Sequence, residues 1–297
     1  MIPKAETDTA TPPAWFTRAL AAPVAERVTT LDGVPVAYRM WGAPSARGVV
    51  LVHGGAAHAH WWDHIGPLLA ADRCVAAIDL SGHGDSGRRE SYGFGTWAQE
   101  VLAVAADAGI DAPIVIGHSM GGVVSLHLAA TSGSRLEGVV IIDSPVRNLA
   151  PEQHAAQDRR VFRELHVYPT REAAIARFRP VPDQPVLGYI AEHVAAMSVR
   201  QVEDGWTWKW DPRVFVRDVP REPLTRLACR VALFRAEHGI MSAEMSEIMY
   251  DRLGRVAPVI EIPAAGHHVM LDQPIALAAA LRTLLSDWDH SLPAEPH

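Results

Sequence analysis

The sequence predicts an α/β protein: a mostly parallel eight-stranded sheet flanked by helices on both faces, with one helical insertion. Three observations carry this. Short apolar runs alternate with amphipathic helical patterns from Gly48 to Asp143, and the same rhythm resumes at Cys229. Such alternation calls for parallel strands covered by helices. Two alternating runs joined at Asp32-Gly33 precede it, a pair that favours a tight hairpin. Between them, residues 144–224 are rich in charge and proline and show no apolar run that reads as a buried strand.

In chain order, PAWFTRALAAP reads as a short helix and VAERVTTLDGVPVAYRMWG as the two hairpin strands. GVVLVHG is then a strand followed by a helix from Trp62 to Leu69, CVAAIDL a strand followed by a helix from Thr96 to Ala108, and PIVIGHS a strand followed by a helix from Met120 to Ala130. LEGVVIID supplies the next strand. Helical stretches are expected inside the insertion at Arg159 to His166, Arg171 to Phe178 and Leu187 to Val202. CRVALFRAEHG and APVIEIP are the last two strands, with helices from Ala243 to Leu253 and from Pro274 to Trp288. The expected organisation is a core of residues 1–143 and 225–297 with a helical cap over 144–224.

A chain of 297 residues, 48% of them hydrophobic, can bury a large single core. Its net charge of −7 and lack of a basic stripe exclude nucleic acid as the expected partner. The stretch MIPKAETDTATPPAWF does not read as a secretory signal and no apolar run is long enough to span a bilayer, so a cytoplasmic protein that does not engage membranes is expected. Cys74 and Cys229 each open an apolar run and read as reduced, buried thiols. His58 and His60 suggest a ligand pair, but no third ligand stands at helical or hairpin spacing, and neither a metal nor another cofactor is expected.

The strongest chemical signal is GHSMG, Gly117 to Gly121, between a β-branched run and a helical pattern. A nucleophile on a strained strand-to-helix turn needs small residues two before and two after it, where the backbones crowd, and Gly117 and Gly121 flank Ser119 in that way. The following helix also points its positive end at the site.

With HGG at 53–55, DLSGHGDS at 79–86 and AGHHVMLDQP at 265–274 in the same order, the chain resembles the α/β-hydrolase superfamily over nearly its whole length. The resemblance implies Ser119 as nucleophile and His267, the first residue after glycine in AGHH, as its base; His268 is the competitor. It implies an oxyanion hole from the backbone N–H of Met120 and one from the loop at 53–55, assigned to Gly55 with Ala56 as alternative. His53 is expected to order that loop, with His53 and Gly54 also counted among the pocket residues. His83 is expected to be structural, and Asp272 to cap the helix opening at Pro274.

The acid departs from the family's usual pattern. Most members place it after the seventh strand, where RAEHGIMS has Gly239. Two replacements are open: Asp143 at the end of the preceding strand, which is favoured and resembles the arrangement of some haloalkane dehalogenases, and Glu237. A carboxylate from either strand end lies within reach of the histidine. A Ser nucleophile implies an acyl-enzyme and water as second substrate. Trp206, Trp208 and Trp210 alternate, so an extended segment puts them on one face, where they either line an apolar pocket or fasten the cap; Trp61 and Trp62 are candidates for a second wall.

The expectation is therefore a serine esterase or lactonase acting on a mostly apolar or aromatic small molecule. A C–C bond hydrolase of a ring-cleavage diketone, a cofactor-free oxygenase or perhydrolase, and a non-catalytic small-molecule receptor are the alternatives. Dimerisation through the cap or a sheet edge is left open.

Overall fold

The computed structural model describes residues 11–45, 47–144, 165–215 and 227–291. Its main sheet has eight strands: β1 (Ala25–Leu31), β2 (Val34–Trp41), β3 (Gly48–Val52), β4 (Cys74–Ile78), β5 (Ile114–His118), β6 (Gly138–Ile142), β9 (Arg230–His238) and β10 (Val259–Gly266). They lie side by side in the order β1-β2-β4-β3-β5-β6-β9-β10. The first two pairings, β1 with β2 and β2 with β4, are antiparallel, and all the others are parallel. At the hairpin tip Asp32 and Gly33 both take positive φ, 51° and 75°, as a tight right-twisting turn requires.

The central strands β3, β4, β5 and β6 are buried at every position. Their alternate residues feed two separate cores. Val50, Val52, Ala76, Ile78, Val115, Val139 and Ile141 face α3 (Phe94–Asp107), α4 (Met120–Ser132) and α7 (Ala243–Arg252). Val49, Leu51, Val75, Ala77, Ile114, Ile116, Val140 and Ile142 face α1 (Ala14–Leu20), α2 (Gly66–Leu69) and α9 (Pro274–His290). Each Val or Ile so buried contributes roughly 1.5–3 kcal/mol, so the period-two pattern fixes which way every strand faces.

Where Trp62 to Leu69 reads as one helix, the chain forms a 3₁₀ turn at Ala59–Trp62 and a short α2. Pro67 fits a fresh helix start there: it stands in the first turn of α2, where its missing N–H has no helical acceptor to lose.

Between β6 and β9 lie α5 (Arg171–Ile175), α6 (Gly188–Met197) and a two-stranded hairpin of β7 (Val199–Val202) and β8 (Gly205–Trp208). The expectation of a helix from Leu187 through Val202 is corrected: α6 ends at Met197 and the chain turns back through Glu203 and Asp204. The β-branched Val199 and Val202 and the Asp204-Gly205 pair favour that hairpin. This segment is thus not wholly helical. The helix expected at 159–166 falls mostly outside the described residues; the two it includes, Leu165 and His166, are not helical. The remaining short helix, α8 (Val269–Asp272), follows β10 directly.

Candidate active site

Ser119 sits between the last residue of β5 and the first of α4, with φ 53° and ψ −117°. That conformation is strained by roughly 1–3 kcal/mol for a residue with a side chain, and it persists only where the surroundings impose it. They do so here. The Ser119 N–H donates to Ile142 O at 3.0 Å. A Cβ at Gly117 would run into the Gly121 carbonyl, and one at Gly121 would stand 2.6 Å from His53 O. Two glycines therefore let β5, α4 and the loop after β3 converge on the serine.

His267 lies in the turn between β10 and α8. Its Nε2 is 3.0 Å from Ser119 Oγ and its Nδ1 is 2.7 Å from Asp143 Oδ2. The turn is held by three side chains. His118 donates from Nε2 to the His267 carbonyl at 2.9 Å, Gln184 accepts the His268 N–H at 2.8 Å, and Asp272 accepts the Gly266 N–H at 2.6 Å. Gln184 also donates to Asp272 at 2.9 Å, closing the set.

Asp272 is thereby corrected from a helix cap to a tie across the histidine turn, and burial pushes its carboxyl up to about 6. His118 and Gln184 are not singled out by sequence reasoning. Nothing in the chain marks Gln184, which reaches the turn from a segment with no motif of its own.

Asp143 follows β6 with φ 42° and is wholly buried. Its carboxylate accepts N–H groups from Ile240 at 2.8 Å, Met241 at 3.3 Å and Ala236 at 3.4 Å, all from the end of β9 and the loop after it. It reaches His267 across that strand end because Gly239 leaves the space open: a Cβ there would lie 2.5 Å from Asp143 Cγ. The glycine that removes the usual acid is the residue that admits the other. Glu237 points elsewhere, its carboxylate accepting the Ala264 N–H at 2.7 Å in an exposed position.

His268 packs against His267, His118 and Trp61, with ring centroids 4.7, 5.6 and 5.3 Å away. Burial pushes it down to about 3, against a smaller opposing effect of the Val181 backbone.

In the loop after β3, the Leu80 N–H donates to His53 Nε2 at 3.1 Å, which leaves Nδ1–H to donate to Gly54 O at 2.7 Å. Burial pushes His53 down to about 4. Both ring nitrogens are consumed, so His53 orders the loop. His83 is buried beside it, 4.8 Å between ring centroids.

Gly54 lies against Ser119, with a built Cβ 3.3 Å from Ser119 Cβ; Gly55 faces Phe215 and the Met120 sulfur. Ala56 takes φ 58°. Met120 is the first residue of α4, where backbone N–H groups have no helical acceptor.

The aromatic residues form a string leading away from the histidine. Trp61 meets Phe178 at 6.2 Å, Phe178 meets Trp208 at 6.4 Å, and Trp208 meets Tyr168 at 6.1 Å. Trp210 packs on Phe215 at 5.7 Å, which in turn covers Gly55. Trp206 pairs its backbone with Tyr168, and among the described residues its ring joins no part of this string.

A parallel sheet that carries a strained Ser turn, a His turn and a buried Asp at neighbouring strand ends is the architecture of a hydrolase. Residues 49–280 match the model of the alpha/beta hydrolase family, and the chain belongs to that family. It is similar to Esterase Rv0045c of Mycobacterium tuberculosis, 27% identical over 82% of this chain and 84% of that protein. Lipase LipV of the same organism is 25% identical over 82% of this chain and 95% of its own length. Among solved structures, E-2-(acetamidomethylene)succinate hydrolase superposes with a TM-score of 0.75 at 20% identity, covering 89% of this chain and 99% of that one, a likeness of fold. The chain is accordingly a hydrolase.

Proposed function

We propose that this hydrolase cleaves carboxylic esters or lactones of mostly apolar small molecules through an acyl-enzyme on Ser119. The observation that carries the reading is the unbroken hydrogen-bonded line Ser119 Oγ, His267 Nε2, His267 Nδ1, Asp143 Oδ2, at 3.0 and 2.7 Å. In this reading His267 takes the serine proton as Oγ attacks the carbonyl carbon, then returns it to the departing alkoxide oxygen. Asp143 holds the imidazole by its Nδ1 proton and stabilises the imidazolium. The Met120 and Gly55 amides receive the carbonyl oxygen as it becomes an oxyanion. Water, activated by the same histidine, then releases the acid.

The esterase and lipase names of the two mycobacterial relatives support ester cleavage. The aromatic string through Trp61, Phe178 and Trp208 supports an apolar substrate, and we take the segment between β6 and β9 as the cap that lays it over the site. The free thiols of Cys74 and Cys229 fit a reducing compartment.

Hydrolysis of a p-nitrophenyl ester series by the wild type and by Ser119→Ala, Asp143→Asn and Glu237→Gln tests the reading. Loss of activity in the first two with Glu237→Gln near wild type is expected. Activity surviving Ser119→Ala refutes the acyl-enzyme, and the reverse acid pattern moves the carboxylate to Glu237.

A further inference from the structure

We propose that His60, Asp63 and His193 form a binding site for a divalent transition ion of the zinc type, separate from the Ser119 site and clamping α6 onto the core. The three residues come from two distant parts of the chain. His60 and Asp63 lie on and just after the 3₁₀ turn at Ala59–Trp62, and His193 projects from α6.

Their ligating atoms converge on one point. His60 Nδ1 and His193 Nε2 each stand 2.8 Å from the same oxygen, Asp63 Oδ2, and all three atoms lie within 4.8 Å of one another. Two imidazoles and one carboxylate are the donor set of zinc-type sites, which bind at about 2.0–2.2 Å. Around a tetrahedral ion the donors stand roughly 3.3 Å apart, so the present 2.8 Å contacts need to open by only about 0.5 Å.

The surroundings suit a bound ion in two further respects. Asp63 Oδ1, the oxygen turned away from the imidazoles, faces Arg39 Nε at 2.8 Å, as outer partners commonly fix a ligating carboxylate. The His60 and His193 side chains are 13% and 16% exposed, which leaves a fourth position open to water and a path in for the ion.

His58, the neighbour whose spacing to His60 suggests a ligand pair, is not part of the set. It is buried, and its Nε2 is taken by Ser198 Oγ at 2.7 Å. The third ligand that sequence spacing fails to supply comes from the fold.

The test is a titration of chelator-stripped protein with zinc chloride, scored against a competing chromogenic chelator and by thermal melting. The wild type should bind one more equivalent than either His60→Gln or His193→Gln. Its melting temperature should rise by roughly 4–8 °C more than that of either variant at a hundredfold excess over the dissociation constant. The imidazoles of His118, His267 and His268 also gather within 4.8 Å, and they are intact in both variants, so an equivalent bound there does not enter the difference.

Equal stoichiometry in all three proteins overturns the site. Should one variant not fold, the other supplies the difference, and cobalt gives it a second readout: a four-coordinate N,O absorption stronger in the wild type than in the folded variant is expected, and identical spectra overturn the site. None of these readouts depends on ester hydrolysis.

Discussion

Moving the acid from one strand end to the next is the sharpest test of how this site is built. Asp143→Ala should lower kcat by roughly 10³–10⁴, about 4–5.5 kcal/mol, the usual cost of losing the group that fixes the histidine tautomer. It also strips the Ile240, Met241 and Ala236 N–H groups of their acceptor, at about 1–3 kcal/mol for a buried group left unpaired. Gly239→Asp in the wild type should be inactive and less stable, because its Cβ would stand 2.5 Å from Asp143 Cγ and place a second carboxylate on the first. The two changes together remove the clash. A carboxylate at 239 then enters the volume that Asp143 vacates, beside His267 Nδ1, and the double variant should recover at least roughly tenfold in kcat over Asp143→Ala. Steady-state p-nitrophenyl ester hydrolysis gives the rates and circular-dichroism melting the stabilities. Gly93→Ala serves as a control, since a Cβ there meets nothing within 4 Å. A folded double variant no faster than Asp143→Ala would refute the claim that Asp143 and a residue at 239 compete for one place.

Gln184→Ala should leave the His268 N–H without its acceptor and loosen the turn that carries His267, lowering kcat about tenfold with KM little changed; a selective rise in KM would instead make Gln184 a substrate contact. Stability should fall as pH drops from 6.5 to 4. Burial pushes His53 and His64 down to about 4 and His268 to about 3, and His58 and His118 well below their ordinary value, so in that window the unfolded chain binds protons that the folded chain refuses. Asp79 and Asp272, raised by burial to about 6, and Glu100, also raised by burial, act in the opposite sense, but the five imidazoles outweigh three carboxyls. A loss of roughly 10 °C in melting temperature over the window is expected, and a flat or rising profile would show that these histidines are protonated in the fold.

The parts legible in sequence are those where a local rule and a tertiary demand coincide. The buried strands announce themselves because both faces of a parallel sheet are covered, and Ser119 because its turn tolerates only glycine at 117 and 121. The hairpin of β7 and β8 escapes because its two strands are four residues each and follow a helix without a break in hydrophobicity, although Asp204-Gly205 stands at its turn. His118 and Gln184 escape for a different reason. Each acts on the backbone of a residue far along the chain, and no spacing encodes a hydrogen bond to a peptide group 149 or 84 positions away.

The acid shows how a site can be read from what a position lacks. Taken alone, Gly239 says only that the usual carboxylate is missing, and it leaves Asp143 and Glu237 as rivals. Its physical content is volume. Asp143 leaves β6 two strands away from β10, and its carboxylate must pass over the end of β9 to meet His267. Any side chain at 239 would block that passage, whereas a carboxylate at 237, hydrogen-bonded to Ala264, needs no such clearance. A glycine at this place is therefore informative about the acid on the neighbouring strand, and the pairing of Asp after β6 with Gly after β9 is a steric requirement of the site.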